Sequence, residues 1–297
     1  MQIAGAYTAL VTPFTADGSA VDYDRLKANV KFQVEQGIDG VVPVGTTGES
    51  PTVTHDEHNK IITAVAEAAG GKVQVIAGTG SNSTAEALST TRHAKQVGAD
   101  AALMVNPYYN KPTQEGLYRH FMTVADGVGL PIVLYNIPGR TNVTMAPDTV
   151  ARLYAHPMIV AIKEATGSLD MASEIASRCD IPIISGDDSL TLPLMAIGGK
   201  GVISVLSNLL PAKVKALVDA AASNDLPGAR SLHHELFHLC KGLLTLSTNP
   251  IPIKAAMKMT GVDTGSVRLP LTELPDDLSA QLEKLLQQTG VLDGAGV

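Results

Sequence analysis

Short apolar runs alternate with longer amphipathic segments along most of this chain. Each run is rich in small or branched apolar residues, the composition of a strand buried on both faces, and the segments that follow repeat their apolar residues with helical spacing. We predict strands that begin near Ala6, Gly40, Val73, Ala101, Pro131, Ile159, Ile181 and Gly201. Helices are predicted over residues 22–36, 55–69, 84–97, 114–127, 147–155 and 212–223.

The number and spacing of these strands favour an α/β fold, the (β/α)8 TIM barrel with a C-terminal helical appendage. Such a barrel typically takes about 250 residues. The alternative is a doubly wound open sheet, which usually has fewer strands and carries a Gly-rich fingerprint after the first one. Residues 12–15 at that point, Thr-Pro-Phe-Thr, contain no glycine. The barrel is therefore the predicted fold.

Beyond residue 224 the pattern changes to helices without strands. The first of these helices is indicated by an apolar stripe formed by Leu232, Leu236, Leu239 and Leu243. His234 and His238 lie one turn apart on the opposite side. This pair could bind a metal, but a solvated helix face is the favoured interpretation.

Two further helices are predicted, over residues 254–260 and 278–288. No low-complexity linker separates this helical part from the barrel. We therefore predict a catalytic barrel over residues 1–224 and a C-terminal helical domain over residues 225–297, with the second packed against the first.

Composition narrows the class of protein. The chain of 297 residues is 45% hydrophobic and carries a net charge of −7, and no basic cluster suggests a nucleic-acid surface. Cys179 and Cys240 lack motif spacing, which is typical of reduced thiols in an intracellular protein. The N-terminus has no secretory pattern and no apolar run is long enough to span a bilayer, so we expect a cytoplasmic protein without a membrane partner.

Lys163 lies within an apolar strand, IVAIKE (159–164). Loss of hydration there disfavours the charged ammonium form. A neutral amine in a dry pocket is a nucleophile that can form a Schiff base with a carbonyl substrate. The alternative is a lysine at a strand end whose stem packs while its head reaches water. The residues at the other strand ends favour the first interpretation.

The second strand ends in GTTGE (45–49). Active sites of such barrels lie at the carboxyl ends of the strands, so Thr46 and Thr47 would face the site. Their hydroxyls, in a turn with exposed N–H groups, can hold a small carboxylate. The alternative is an ordinary turn into the next helix, where Thr54 and Glu57 form a capping box.

Tyrosine and arginine follow the fourth and fifth strands, in NPYYNKP (106–112) and YNIPGRT (135–141). A tyrosine hydroxyl near an amine can relay protons, although aromatic packing over the barrel mouth is the alternative. Arg140 offers a fork for a second carboxylate, although an exposed arginine is common anywhere. The seventh strand ends at Gly186 and the eighth contains Ile203. Together these groups indicate chemistry on an α-keto acid through an imine.

Seven segments resemble one known family. They are GTTGE (45–49), NPYYNKPTQEG (106–116), YNIPGRT (135–141), IKEATG (162–167), SGDD (185–188), GVISV (201–205) and NPIPIK (249–254). In this order, and over nearly the whole chain, they resemble the dihydrodipicolinate synthase family. That family belongs to the pyruvate-dependent class I aldolases, as does N-acetylneuraminate lyase. Arg140 followed by Thr141 matches the synthase branch.

The resemblance implies a lyase that condenses pyruvate with L-aspartate-4-semialdehyde to 4-hydroxy-tetrahydrodipicolinate, on the diaminopimelate route to lysine. It implies a homotetramer without metal or organic cofactor, because the protonated imine is itself the electron sink. Lys163 would be the Schiff-base lysine and Tyr135 the proton donor and acceptor. The relay would be completed by Thr46 and by Tyr109 from a neighbouring subunit. Substrate would be bound by Thr47, Arg140, Ile203 and Gly186, with Thr47 on the pyruvate carboxylate and Arg140 on the semialdehyde carboxylate.

A second site is implied for L-lysine as an effector at a subunit interface. Its residues would be Ser50, His55, His58, Asn82, Glu86 and Tyr108. Glu86 could pair with an ammonium and Tyr108 could pack on an aliphatic stem. In the alternative interpretation, the two histidines only decorate the start of an exposed helix, and their spacing lacks a third ligand for a metal. Pro51 departs from the small residue that is expected there.

Two other functions stay open at this point. One is another aldolase of the same group, such as an enzyme that cleaves a sugar keto acid. The other is a catalytically silent relative that keeps the barrel for ligand binding or regulation. Lys163, Tyr135, Thr46 and Arg140 are all present, which argues against a silent relative.

Overall fold

Eight parallel strands close into a barrel in chain order in the computed structural model, which describes residues 2–292. The strands are β1 (Gly5–Ala9), β2 (Gly40–Val42), β3 (Gln74–Gly78), β4 (Ala101–Val105), β5 (Ile132–Asn136), β6 (Ile159–Glu164), β7 (Ile183–Ser185) and β8 (Gly201–Ser204). Closure comes from β1, which pairs with β2 on one side and with β8 on the other. The predicted TIM barrel is confirmed.

Helices follow the strands and surround the barrel. They are α1 (Tyr23–Glu35), α2 (His55–Ala69), α3 (Thr84–Gln96), α4 (Gln114–Val128), α5 (Pro138–Thr141), α6 (Pro147–Tyr154), α7 (Leu169–Ala176), α8 (Thr191–Ala196) and α9 (Pro211–Ala222). The six helices predicted in this region are confirmed to within two residues at most ends. Sequence patterning missed α5, α7 and α8. The helices α5 and α8, of four and six residues, repeat an apolar face too few times to show a period.

Local capping explains where α2 begins. The Thr54 hydroxyl accepts a hydrogen bond from the Glu57 N–H at 3.2 Å, and the Glu57 carboxylate accepts one from the Thr54 N–H at 2.9 Å. This is the predicted capping box. It satisfies two of the N–H groups that a helix start leaves without a partner.

The barrel is filled by side chains from alternate strand positions. Tyr7, Val133, Ala161, Ile184 and Ile203 belong to this interior cluster, and each is almost wholly buried. A larger apolar cluster lies between the strands and the surrounding helices. Lys163 stands two positions beyond Ala161 on β6, so the strand directs it toward the same interior, at the carboxyl end of the barrel.

Three helices follow the barrel: α10 (Leu226–Thr245), α11 (Ile251–Met259) and α12 (Asp276–Gln288). On α10 the predicted stripe is buried at Leu236, Leu239 and Leu243, whereas His234 and His238 are exposed. The packing of α10 on α9, and of α11 on α12, joins these helices to the rest of the chain. Residues 293–297 of the predicted C-terminal domain lie outside the described range.

Within residues 2–292, no helix combines the length and the apolar character that crossing a membrane requires. Nor do three or more His, Cys, Asp or Glu side chains between residues 2 and 292 converge in a way that could hold a metal ion. Cys179 and Cys240 are both free thiols.

Candidate active site

Lys163 and Tyr135 lie side by side at the carboxyl end of the barrel. They are partners in the pairing of β5 with β6, and the Lys163 Nζ lies 4.3 Å from the centroid of the Tyr135 ring. Both are buried, with 6% and 5% of their surfaces exposed. Among residues 2–292, no carboxylate lies within ion-pair distance of this amine. An amine with a free nitrogen and an adjacent phenol are the parts that imine chemistry requires.

Gly186 keeps space open beside the amine. It follows β7, and a Cβ atom at this position would lie 3.1 Å from the Lys163 Cε and 2.5 Å from the Ala165 Cβ. Such contacts are too close for an ordinary side chain. A glycine at this position therefore leaves the flank of Lys163 accessible.

Two carboxylates, those of Glu164 and Asp187, lie in the neighbourhood of Lys163. Burial raises the pKa of Asp187, and the charges of Lys163 and Lys241 oppose that rise. Burial also raises the pKa of Glu164, whose oxygens accept hydrogen bonds from the Thr166 N–H and the Asn136 side chain. The surroundings of the amine are thus low in dielectric, and such surroundings strengthen electrostatic interactions with a bound substrate.

The turn after β2 has an unusual backbone. Val44 has a φ of 54°, in the left-handed region that a β-branched residue rarely adopts. Space for it comes from Gly78 at the end of β3, where an added Cβ would lie 2.4 Å from the Val44 carbonyl oxygen. Strained backbone of this kind is concentrated at functional sites. Thr46 and Thr47 come directly after this part of the turn, and Thr46 lines the cavity at the barrel mouth.

A cavity of about 250 Å³ joins several of the predicted residues. Its lining includes Thr46, Tyr135, Arg140 and Thr141, with Ser50, Pro51 and Tyr108 on one side. The Arg140 guanidinium donates a hydrogen bond to the Asn249 carbonyl at 3.1 Å. One small cavity therefore brings the phenol, a threonine hydroxyl and a guanidinium within reach of the same ligand.

Three predicted binding residues are not among those that line this cavity. Thr47 is buried, and its hydroxyl accepts a hydrogen bond from the Asn249 side chain at 3.0 Å. Ile203 is fully buried in the barrel interior, in the same cluster as Tyr135. Gly186 flanks Lys163. The contacts of these three residues with substrate stay a prediction.

Tyr109 does not reach the cavity of its own chain. Its side chain is the most exposed large apolar group among the described residues, at 89%, and its φ is 72°. The neighbouring Tyr108, by contrast, lines the cavity. The predicted entry of Tyr109 into the site of a neighbouring subunit stays a prediction.

The predicted effector residues lie on two adjacent surfaces. Ser50 and Tyr108 line the active-site cavity, whereas His55 and Glu86 line a neighbouring cleft of about 330 Å³. The remaining two are His58, which is buried, and Asn82, whose carbonyl accepts a hydrogen bond from Asn110. Burial lowers the pKa of His58 to about 4. In one chain, therefore, the six residues do not form a single closed pocket.

Residues from the C-terminal segment complete the site, and the sequence interpretation gave them no role. Asn249 contacts both Thr47 and Arg140, as described above, and Lys254 forms a buried ion pair with Glu49. The sequence signal that could have indicated these residues is the segment NPIPIK (249–254), which resembles the family. Because the segment lies far along the chain from β2, no local pattern connects the two.

Comparison with known proteins identifies the family. The family model described as the dihydrodipicolinate synthetase family matches residues 2–289. A 4-hydroxy-tetrahydrodipicolinate synthase of Geobacter sp. (strain M21) is 51% identical over 286 residues, which cover 96% of this chain and 98% of the relative. The chain belongs to this family. The predicted activity, that of a synthase of the lyase class in lysine biosynthesis, is confirmed at this level.

Two solved structures of the family contain a bound ligand, pyruvate in one and lysine in the other. The chloride-inhibited dihydrodipicolinate synthase of Acinetobacter baumannii, complexed with pyruvate, matches with a TM-score of 0.95 and 41% identity, over 98% of this chain and 100% of the other. The enzyme from Cyanidioschyzon merolae with lysine bound matches with a TM-score of 0.94 and 39% identity, over 97% and 99%. The backbone of the barrel and its C-terminal helices is thus that of the family.

Proposed function

We propose that this chain condenses pyruvate with L-aspartate-4-semialdehyde through a Schiff base on Lys163. The observation that carries the proposal is the Lys163 amine. It is buried at the barrel mouth, 4.3 Å from the centre of the Tyr135 ring, and no carboxylate within residues 2–292 is paired with it. The family relationship and the pyruvate-bound relative support the same substrate.

The reaction follows from the groups that are present. The Lys163 nitrogen attacks the keto carbon of pyruvate, and the carbonyl oxygen leaves as water with protons relayed through the Tyr135 hydroxyl. The imine then loses a proton from its methyl group to give an enamine, whose carbon attacks the aldehyde carbon of the second substrate. Finally the amine of that substrate attacks the imine carbon. The ring closes and Lys163 leaves as the free amine.

Two anchors hold the two carboxylates apart. The Thr46–Thr47 turn, with its hydroxyls and backbone N–H groups, binds the carboxylate of pyruvate next to Lys163. Arg140 binds the carboxylate of the semialdehyde at the outer side of the cavity, where its guanidinium fork suits a carboxylate. Ile203 and Gly186 shape the surface of the site beside the imine. The two carboxylate anchors together align the aldehyde with the enamine, which favours the reaction.

The active enzyme is a homotetramer in which Tyr109 enters the site of a neighbouring subunit. Its 89% exposure in one chain supports this assignment. Mixing subunits that carry Tyr109→Phe with subunits that carry Lys163→Ala should then restore part of the activity, because one intact site forms from two defective chains. If subunit exchange is verified and no activity returns, Tyr109 acts within its own chain.

L-Lysine binds as an effector beside the active site, at Ser50, His55, His58, Asn82, Glu86 and Tyr108. The lysine-bound relative supports this ligand. The two surfaces that carry these residues would form a closed pocket when a second subunit covers them. Since Ser50 and Tyr108 also line the catalytic cavity, the effector would act over a short distance.

The reaction belongs to the predicted barrel domain, residues 1–224, and the predicted C-terminal domain, residues 225–297, supports the barrel mouth through Asn249. The enzyme works in the cytoplasm, where the free thiols Cys179 and Cys240 stay reduced. It needs no metal or organic cofactor, because the imine nitrogen accepts the electrons that the chemistry displaces.

Borohydride trapping tests the proposal directly. With pyruvate, a reduced adduct should form on Lys163 alone, as shown by mass spectrometry of peptides. Absence of an adduct at saturating pyruvate would reject the imine mechanism. The remaining hypothesis would then be a catalytically silent relative. Enzyme that forms this adduct should turn over L-aspartate-4-semialdehyde and should not turn over sugar aldehydes. This result would separate the synthase from other aldolases of the group.

A further inference from the structure

Lys254 is a second deeply buried lysine, and it lies where the C-terminal segment meets the barrel. Its Nζ lies 2.7 Å from the Glu49 Oε1, and both side chains are completely inaccessible to solvent. The same Nζ donates a hydrogen bond to the Thr12 carbonyl at 2.9 Å. Glu49 is the last residue of the turn that contains Thr46 and Thr47. The ion pair therefore ends on the turn that we assign to pyruvate.

Stability alone does not explain such a pair. Desolvation of two charges costs several kcal/mol per ion, and apolar side chains of similar volume often replace a buried pair without loss. Burial lowers the pKa of Lys254, and the Glu49 carboxylate opposes that effect. Burial therefore opposes the charged form of Lys254, and the attraction to Glu49 offsets this cost in part. The contacts of the pair point to a geometric role.

Glu49 is held from two directions. Its second oxygen accepts a hydrogen bond from the Arg268 N–H at 3.1 Å. The Arg268 guanidinium in turn forms two hydrogen bonds of 2.8 Å with the Glu57 carboxylate at the start of α2. Glu49 itself has a left-handed φ of 54°, so the backbone turns sharply at the point where its side chain is fixed. These contacts fix the position of the end of the turn.

The same C-terminal segment also holds the middle of the turn. Asn249 donates through its side chain to the Thr47 hydroxyl at 3.0 Å, five residues before Lys254. Its carbonyl accepts the hydrogen bond from Arg140 at 3.1 Å. Residues 249–254 therefore contact the turn at two points and the Arg140 side chain at one.

We propose that Glu49 and Lys254 are positioning residues that fix the Thr46–Thr47 turn in the geometry that binds the carboxylate of pyruvate. Neither side chain touches the substrate, since both are sealed from solvent behind the turn. The inference rests on the proposed function, because it assigns pyruvate to this turn. It predicts that pyruvate binding weakens when the geometry of the pair is altered without leaving one of its charges buried alone.

Two variants test the role of the pair. Glu49→Asp keeps the charge and both partners but shortens the side chain by one methylene, so the turn must move to keep the ion pair. The double variant Glu49→Gln with Lys254→Met removes both charges with little change in volume. Lys258→Met is the matched control, because Lys258 lies one turn further along α11 in an exposed pair with Glu273.

The readout is the pyruvate concentration that gives half-maximal borohydride trapping on Lys163, measured with folded protein well below its melting temperature. We expect it to rise about 10- to 100-fold in both test variants and to stay unchanged in Lys258→Met. The KM for the semialdehyde should change much less, because Asn249 and Arg140 remain in place. A purely structural pair would lower the melting temperature and leave both constants alone.

Two results would overturn the inference. One is an unchanged half-saturating pyruvate concentration in folded Glu49→Asp and in the folded double variant. The other is loss of folding in both variants, since the pair would then be an element of the fold itself. Failure of the unaltered protein to form any adduct is a different result, because it rejects the proposed function.

Discussion

Two buried lysines, in two regions of the molecule, differ in what surrounds the nitrogen. At the barrel mouth the Lys163 Nζ lies 4.3 Å from the Tyr135 ring centroid and has no paired carboxylate in the described part of the chain. At the contact with the C-terminal segment, the Lys254 Nζ lies 4.2 Å from the Phe14 ring centroid. Lys254 also has the Glu49 carboxylate at 2.7 Å and the Thr12 carbonyl at 2.9 Å.

An aromatic ring beside the nitrogen is common to both lysines, so the ring does not decide their roles. The carboxylate does. It engages the Lys254 ammonium in a charge-assisted hydrogen bond, which leaves no free electron pair for attack on a carbonyl. Within the described residues Lys163 lacks that partner, and it lies beside Tyr135, which lines the cavity, so its nitrogen can react. A buried lysine therefore points to chemistry only when its charge has no built partner.

The largest expected effect comes from Lys163→Met, which keeps the stem and removes the amine. Turnover and the borohydride adduct should both disappear, because no other lysine among the described residues combines burial with a free nitrogen at the mouth. The protein should stay folded, since an unpaired buried amine contributes little to stability. Peptide mass spectrometry checks the loss of the adduct, and circular dichroism checks that the protein stays folded. An adduct on another lysine would remove the contrast between the two regions.

Tyr135→Phe should lower turnover by roughly 10²- to 10⁴-fold, the range for loss of a general acid–base group. The change keeps the ring beside Lys163 and removes only the hydroxyl, so it separates support by the ring from proton transfer. Tyr118→Phe, whose ring contacts Arg152 outside the site, is the matched control. If Tyr135→Phe retains full turnover, the phenol is only a packing partner.

Lys254→Met should reduce the free energy of unfolding by about 3–5 kcal/mol, because it leaves the Glu49 carboxylate buried without its partner. Denaturant titration measures this loss. Addition of Glu49→Gln should recover most of it, since no charge then remains buried. At saturating pyruvate, the adduct on Lys163 should still form. A mild effect of Lys254→Met on stability would show that water reaches the pair, contrary to its complete burial.

The smallest effect extends the comparison to buried histidines that lack a charge partner. Burial lowers the pKa of both His58 and His120 to about 4. Unfolded histidine binds its proton near pH 6.5, so the unfolded chain takes up these protons first as the pH falls. The free energy of unfolding should therefore decline between about pH 6.5 and pH 4, by up to about 3 kcal/mol for each ring.

His120→Gln isolates one of these contributions. Its ring has a single partner, the Thr84 hydroxyl at 2.9 Å, and a buried Nε2 without a partner in the described residues. The variant should lose less stability than the unaltered protein over that pH range, as followed by denaturant titration at several pH values. His234→Gln, exposed on α10, is the control. Parallel pH curves for His120→Gln and the unaltered protein would contradict the assignment.

Local patterns were sufficient for the barrel and for locating the candidate reacting groups at its strand ends. Apolar runs of strand length and helical spacing recur within a few residues, so β1–β8 and the longer helices could be read without tertiary information. Lys163 was recognisable because a charged residue interrupts such a run. The short helices α7 and α8 could not be recognised, and neither could the direction of Tyr109, whose exposure depends on how the loop after β4 folds.

The sequence by itself determined the (β/α)8 architecture, the family and the residues at the strand ends, because each follows from patterns that are short along the chain. Only the tertiary structure decided which buried lysine is free. Lys254 also lies in an apolar segment, 251–257, and its partner Glu49 is 205 residues away in sequence. Ion pairing depends on distance in space, and no local pattern records which carboxylate the fold brings to an amine.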